Sequence, residues 1–239
     1  FNKTNILNLF NTLSSWKRDY FNTSIKRGIY DPVYDNWQYR FGIASSKNTV
    51  NNRLFLFATF KYRGEEIAKV PFSIEALWET NAMWAEITYN IYLAQMMENE
   101  DEKQVEYCQI QNKYTSYTYN SDLLIYSFAA HITSAFLGLG DLYRAFNLSK
   151  ALSSISLNLP YKYYSQIKRP KGAIFEGFTN TLLEQTDSLD PCAIFLILLE
   201  NLYESGVDLF QDDFLLNIDR ILKVNELPNK KVLNAAIME

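Results

Sequence analysis

The stretch "DPCAIFLILLENLYESG", residues 190–206, constrains this chain more than any other. Asp190 reads as a helix N-cap, since its carboxylate can accept from free N–H groups of the first turn. Pro191 suits the first helical position, where its missing N–H costs nothing, and Gly206 suits the left-handed residue that closes a helix. Between these ends the helix is apolar nearly all round, so other elements must cover it. The 239 residues include only eight Gly and six Pro, few for an all-β or dinucleotide-binding fold and in keeping with long helices joined by short connections. The expected class is all-α: an irregular helical bundle or a solenoid-like stack of antiparallel helix pairs, with room for one minor β-hairpin.

Periodicity extends this reading. Ile74, Leu77, Trp78, Trp84, Ile87, Ile91 and Ala94 recur at three- and four-residue steps and predict a helix over 73–98, capped by Ser73. Val50, Leu54, Phe57 and Ala58 predict a shorter helix that stops near Gly64. Residues 99–120 open on an acidic cluster and predict a long helix, with "YTSYTYN" (114–120) fitting a short extended segment. Further helices are expected over 121–139, from Asp141 as N-cap to Pro160, over 170–185, over 212–226 and over 230–238. The chain reads as one domain, 1–239, with two lobes (1–106 and 121–239) joined by a Tyr-rich connection as the alternative.

Charge narrows the partners. The net charge is −4, and the basic pairs Lys17-Arg18, Lys26-Arg27, Lys168-Arg169 and Lys230-Lys231 are scattered. That argues against nucleic acid, whose binders concentrate cations against phosphate, and favours a basic protein. Cys108 and Cys192 form no paired motif, so neither a zinc site nor a disulfide framework is implied, and a reducing cytoplasm is expected. The longest apolar run, Ala193–Leu199, is far short of a membrane span. The chain begins at Phe1 rather than Met, which leaves a removed leader or a trimmed end open.

No catalytic, cofactor or metal site is expected. The single histidine, His131, lies in the apolar "FAAHITSAF" and reads as a core residue. No nucleophile elbow, phosphate-binding glycine loop or HExxH is present. A carboxylate-dependent helical enzyme stays as an alternative; Asp212-Asp213 only partly echoes a magnesium-holding Asp-rich motif, since the next acid, Asp219, lies too far along the helix for the usual spacing, and a pair of acids near a helix N-terminus is the preferred reading. Glu65-Glu66 reads as a solvated face. The Tyr-rich stretches 107–120 and 161–172 read instead as interaction surface, because Tyr offers stiff contact area at low entropic cost. The candidate partner-binding residues are Glu98, Glu100, Asp101, Glu102, Tyr107, Tyr114, Tyr117, Tyr119, Tyr161, Tyr163 and Tyr164.

Two resemblances follow from these residues. Gly140-Asp141, Ala145, Ala151-Leu152 and Pro160 resemble a tetratricopeptide helix pair over 126–160, although Ala129 and Thr133 stand where that family has Trp and Gly. The "WKRDYF" start (Trp16–Phe21), "LFLFATFKYRGEEI", "LWETNAMWAEITYNIYLA" and "GDLYRA" together resemble the all-helical immunity proteins that bacteria pair with secreted antibacterial toxins. This second resemblance implies a cytosolic, non-enzymatic protein that captures a basic toxin domain and occludes its active site. A helical-repeat adaptor or chaperone that binds a peptide is the alternative.

Overall fold

A computed structural model describes residues 26, 28–45, 54–172, 180, 183, 190–211 and 215–238. The fold is an irregular helical bundle with a small open three-stranded sheet. The chain packs into two units, one of 1–72 with 112–124 and one of 73–111 with 125–239. Residues 112–124 group with the sheet.

The sheet unit holds a one-turn 3-10 helix, Tyr34–Asn36, and the strands β1 (Trp37–Ser45), β2 (Leu54–Tyr62) and β3 (Glu65–Pro71), antiparallel in the order β1-β2-β3. This corrects the helix expected to end near Gly64, and with it the reading of "LFLFATFKYRGEEI" as helical. Leu56, Ala58 and Phe60 are buried while Phe57, Thr59 and Lys61 are half-buried, which is the period of two that a strand imposes. Tyr62 pairs with Glu65 across a two-residue loop in which Arg63 and Gly64 both have positive φ, 49° and 84°. Two such residues in succession make the tight turn whose twist matches a hairpin. Pro71 ends β3 on an edge strand, where its missing N–H breaks no ladder. Gly42 lies opposite Phe57, and a Cβ there would stand 2.5 Å from the Phe57 ring, so the ring covers the space that a side chain would fill.

The helical unit is built on α1 (Ile74–Gln95), α4 (Leu142–Asn158), α5 (Pro191–Ser205), α6 (Ile218–Val224) and α7 (Lys230–Met238). Two further helices, α2 (Glu100–Thr118) and α3 (Leu124–Leu137), run through residues of both units. Helix α2 occupies most of "YTSYTYN", so the extended segment expected there is a correction: a regular helix continues to Thr118. Residues Ala193 to Leu202 of α5 are all buried. Helix α4 packs on α1 and α5, and α5 on α6.

Caps appear where side-chain chemistry places them. Asp141 accepts from the Arg144 N–H at 2.7 Å, Asp190 from the Cys192 N–H at 2.9 Å and Ser73 from the Ala76 N–H at 3.3 Å. Gly206 closes α5 at φ 58°. His131 is buried. The 126–160 region does form two helices, α3 and α4, and the Ser149 hydroxyl of α4 donates to the Ala129 carbonyl of α3 at 3.0 Å. The principal neighbours of α4 are nevertheless α1 and α5.

Two stability measurements check these assignments. Asp141→Ala should cost about 1 kcal/mol by denaturant titration, the usual loss for an N-cap acceptor. Gly64→Ala should destabilise by about 1 kcal/mol, because Ala is strained at positive φ; an unchanged midpoint would mean that the hairpin turn has another geometry.

Candidate functional site

The acidic cluster sits where α2 begins. Asn99 caps the helix, its Oδ1 accepting from the N–H groups of Asp101 at 2.9 Å and Glu102 at 3.3 Å. Glu100, Asp101 and Glu102 occupy the first turn, where the helix dipole favours negative charge. All four acids, Glu98 included, are exposed. Glu100 pairs with Lys103 at 2.5 Å, an exposed contact worth about 0–1 kcal/mol. Among the described residues Glu98, Asp101 and Glu102 make no ion pair.

The tyrosines divide. Tyr107 of α2 is half-buried. Tyr114 is fully buried, which removes it as contact area and is a correction to its reading as surface. Tyr117, half-buried, meets the Tyr114 ring edge-on at 5.7 Å, and the Lys113 ammonium lies 5.1 Å from one ring and 5.7 Å from the other. Tyr119 belongs to the sheet unit, its ring 6.1 Å from that of Trp37. The 161–172 stretch opens as a 3-10 helix, Tyr161–Gln166, with Tyr161 exposed and Tyr163 and Tyr164 half-buried. Burial pushes the Tyr164 hydroxyl above its ordinary pKa, with the Asp190 carboxylate adding to the shift. The acids with Tyr107 and the 161–164 tyrosines thus lie in the helical unit, while Tyr114, Tyr117 and Tyr119 lie in the sheet unit.

Two features escaped sequence reasoning. One is the face of α1. Trp78 and Ile74 were expected to share one stripe with Leu77, Ile87 and Ala94, yet the latter three are buried and the former two are exposed. Tyr89, Tyr92, Leu93 and Met96 are exposed as well. The signal was present: apolar residues occupy two opposite sides of this helix, so one side alone can meet its own bundle.

The other is a polar hub on Asp31 in the sheet unit. Its Oδ1 accepts from the Val33 N–H at 2.9 Å, and its Oδ2 accepts from the Asn36 amide at 2.7 Å and the Tyr62 hydroxyl at 2.8 Å. The Trp37 indole N–H donates to the Asp31 carbonyl at 2.8 Å. The Arg63 guanidinium stands 3.7 Å from Oδ2 and lies 5.2 Å from the centre of the Tyr62 ring. These bonds fasten residues 31–37 to the β2–β3 hairpin. Nearby, the Ile29 N–H donates to Ser121 Oγ at 3.1 Å and the Ser121 N–H to the Ile29 carbonyl at 3.0 Å. The "DP" at Asp31-Pro32 is the local sequence signal for such a side-chain turn.

Among the described residues no group of three or more His, Cys, Asp and Glu could hold a metal ion. Desolvation and the Asp190 carboxylate push the Cys192 thiol well above its ordinary range. Asp219, the next acid after Asp212-Asp213, accepts from the Lys230 N–H at 2.8 Å at the start of α7, a structural task; Asp212-Asp213 lies outside the described residues. So does "WKRDYF". Comparison with protein families, curated proteins and solved structures returns no match.

The Asp31 hub predicts a pH dependence. The Val33 N–H, then Tyr62, Asn36 and Arg63, hold the carboxyl below its ordinary value of 3.8. A group depressed on folding adds stability above its unfolded pKa and loses it as pH falls through the folded value. Asp31→Asn should therefore melt lower than the unsubstituted protein at neutral pH, with the gap closing as pH falls through the Asp range. A gap constant across that range, by thermal melting, would remove the ionised carboxylate from the account.

Proposed function

We propose that this chain is a non-enzymatic binding protein, an immunity protein that neutralises a cognate antibacterial toxin by direct binding and occlusion of the toxin's active site. One observation carries the reading. Exposed Tyr89, Tyr92, Leu93 and Met96 close α1, and exposed Glu98, Glu100, Asp101 and Glu102 follow at once in the chain. Aromatic and aliphatic contact area supplies affinity once water is excluded, and an acidic border steers a basic partner toward it. The resemblance noted in "LWETNAMWAEITYNIYLA" and "GDLYRA" supplies the toxin-neutralising role, and the overall negative charge suits a basic toxin domain.

The test is co-expression with any toxin candidate that the reading frames beside this chain are found to encode. Protection of the cells should coincide with a complex that co-purifies. Glu98→Lys combined with Asp101→Lys should slow association by about tenfold at low salt, with the loss shrinking as salt rises. Protection without a complex, or turnover of a substrate, would instead establish an enzyme.

A further inference from the structure

We infer that the outward face of α1 is the seat for one helix of a partner protein, a helix whose apolar stripe is bordered on one side by Lys or Arg. The inference rests on the binding reading above and names the element that would be bound.

The seat follows from the two sides of α1. Ala76, Leu77, Thr80, Met83, Ile87 and Ala94 are buried and commit one side to the protein's own core. On the other side Ile74, Trp78, Tyr89, Tyr92, Leu93 and Met96 stand between 42% and 66% exposed. At about 100° per residue these six fall within an arc of about 100°, the width of stripe that a helix normally buries. Ala82 and Ala85, also exposed, lie in the same arc between the two bulky ends. The face is therefore a saddle: Trp78 rises at one end, Tyr89, Tyr92 and Met96 at the other, and small side chains at the waist allow close backbone approach. The 22 residues of α1 span about 33 Å, enough for a partner helix of several turns. A continuous apolar face of this kind marks a site of association.

Charge selects the occupant. Helix α1 carries Glu75, Glu79 and Glu86 and no Lys, Arg or His. By the same helical steps all three acids fall along one border of the stripe, while Asn81 and Thr88 mark the other. A basic edge on the partner would complement the first border, and neutral polar residues would suit the second. A second copy of this chain would bring an α1 with no cation to offer either border. An anionic lipid surface would be repelled by the acidic edge.

Two synthetic amphipathic helical peptides test this, identical in their Leu-rich stripe and bordered by Lys in one and by Glu in the other. Each is titrated into the full chain and followed by fluorescence anisotropy. The Lys-bordered peptide should bind at least about tenfold tighter at low salt, with the gap narrowing as salt rises. Ala85→Arg, which fills the waist and repels the basic edge, should weaken that binding at least about tenfold while the circular dichroism melt stays unchanged. Equal binding of both peptides, or binding indifferent to Ala85→Arg, overturns the seat. So does a dimer in sedimentation velocity, or adsorption to anionic vesicles, that Ala85→Arg abolishes. If the toxin candidate binds the Ala85→Arg protein as tightly as it binds the unsubstituted one, the seat is wrong and the immunity reading stands. If no toxin candidate co-purifies and the Lys-bordered peptide binds through α1, the seat stands and the immunity reading falls.

Discussion

The helical unit depends on the burial of α5. From Ala193 to Leu202 that helix has no solvent face, and its side chains include Ile194, Phe195, Leu196, Ile197, Leu198 and Leu199. Each such side chain stabilises the fold by about 1.5–3 kcal/mol when removed from water, so leaving any side of the helix open would be costly. Helices α4, α6 and α1 lie against it for that reason. Some polar atoms along α5 tie it to neighbouring segments. The Asn201 amide donates to the Lys168 carbonyl at 2.8 Å and to Asn225 Oδ1 at 2.9 Å, which pins the segment after the 161–166 turn to the end of α6. Glu204 Oε1 likewise accepts from the N–H groups of Lys171 and Gly172.

A different principle holds the sheet unit. Three strands form a small sheet, and its stability leans on polar fastening as well as burial. Asp31 gathers backbone, amide and phenol donors at one carboxylate, and Trp37 packs its ring against Tyr62 at 5.4 Å while donating to the Asp31 carbonyl. The hub therefore serves geometry: it fixes where residues 31–37 enter β1 and holds the hairpin end at Tyr62-Arg63. The Tyr62 hydroxyl, donating to a carboxylate, is pushed above its ordinary value by that hydrogen bond.

Surface composition reflects these internal commitments. Helix α1 gives one side to the bundle, and its second apolar side is exposed. The acids that begin α2 are explained locally by the helix dipole and the Asn99 cap, yet their exposure beside the end of α1 also sets the electrostatic character of that surface. The negative charge of these residues meets a folding constraint at the helix start, and in the proposed reading the same charge would steer a basic partner.

The sequence by itself determined the elements whose signals are local. Asp190, Pro191 and Gly206 bound α5, Asp141 and Ser73 cap α4 and α1, and the apolar ring of α5 requires burial whatever surrounds it. Capping works through atoms two or three residues apart, so one segment carries all the information. Only the tertiary structure decided the rest. Residues 54–62 have both a helical and an alternating reading, and pairing with β1 and β3 selected the strand, because ladder hydrogen bonds come from distant residues. Tyr114 and Tyr117 have the same local character, and packing buried one fully and the other by half. Asp31 and Tyr62 are 31 residues apart and are brought together only by the tertiary fold. Which apolar side of α1 turns inward was decided by α4 and α5, since a helix apolar on two sides offers the core either one.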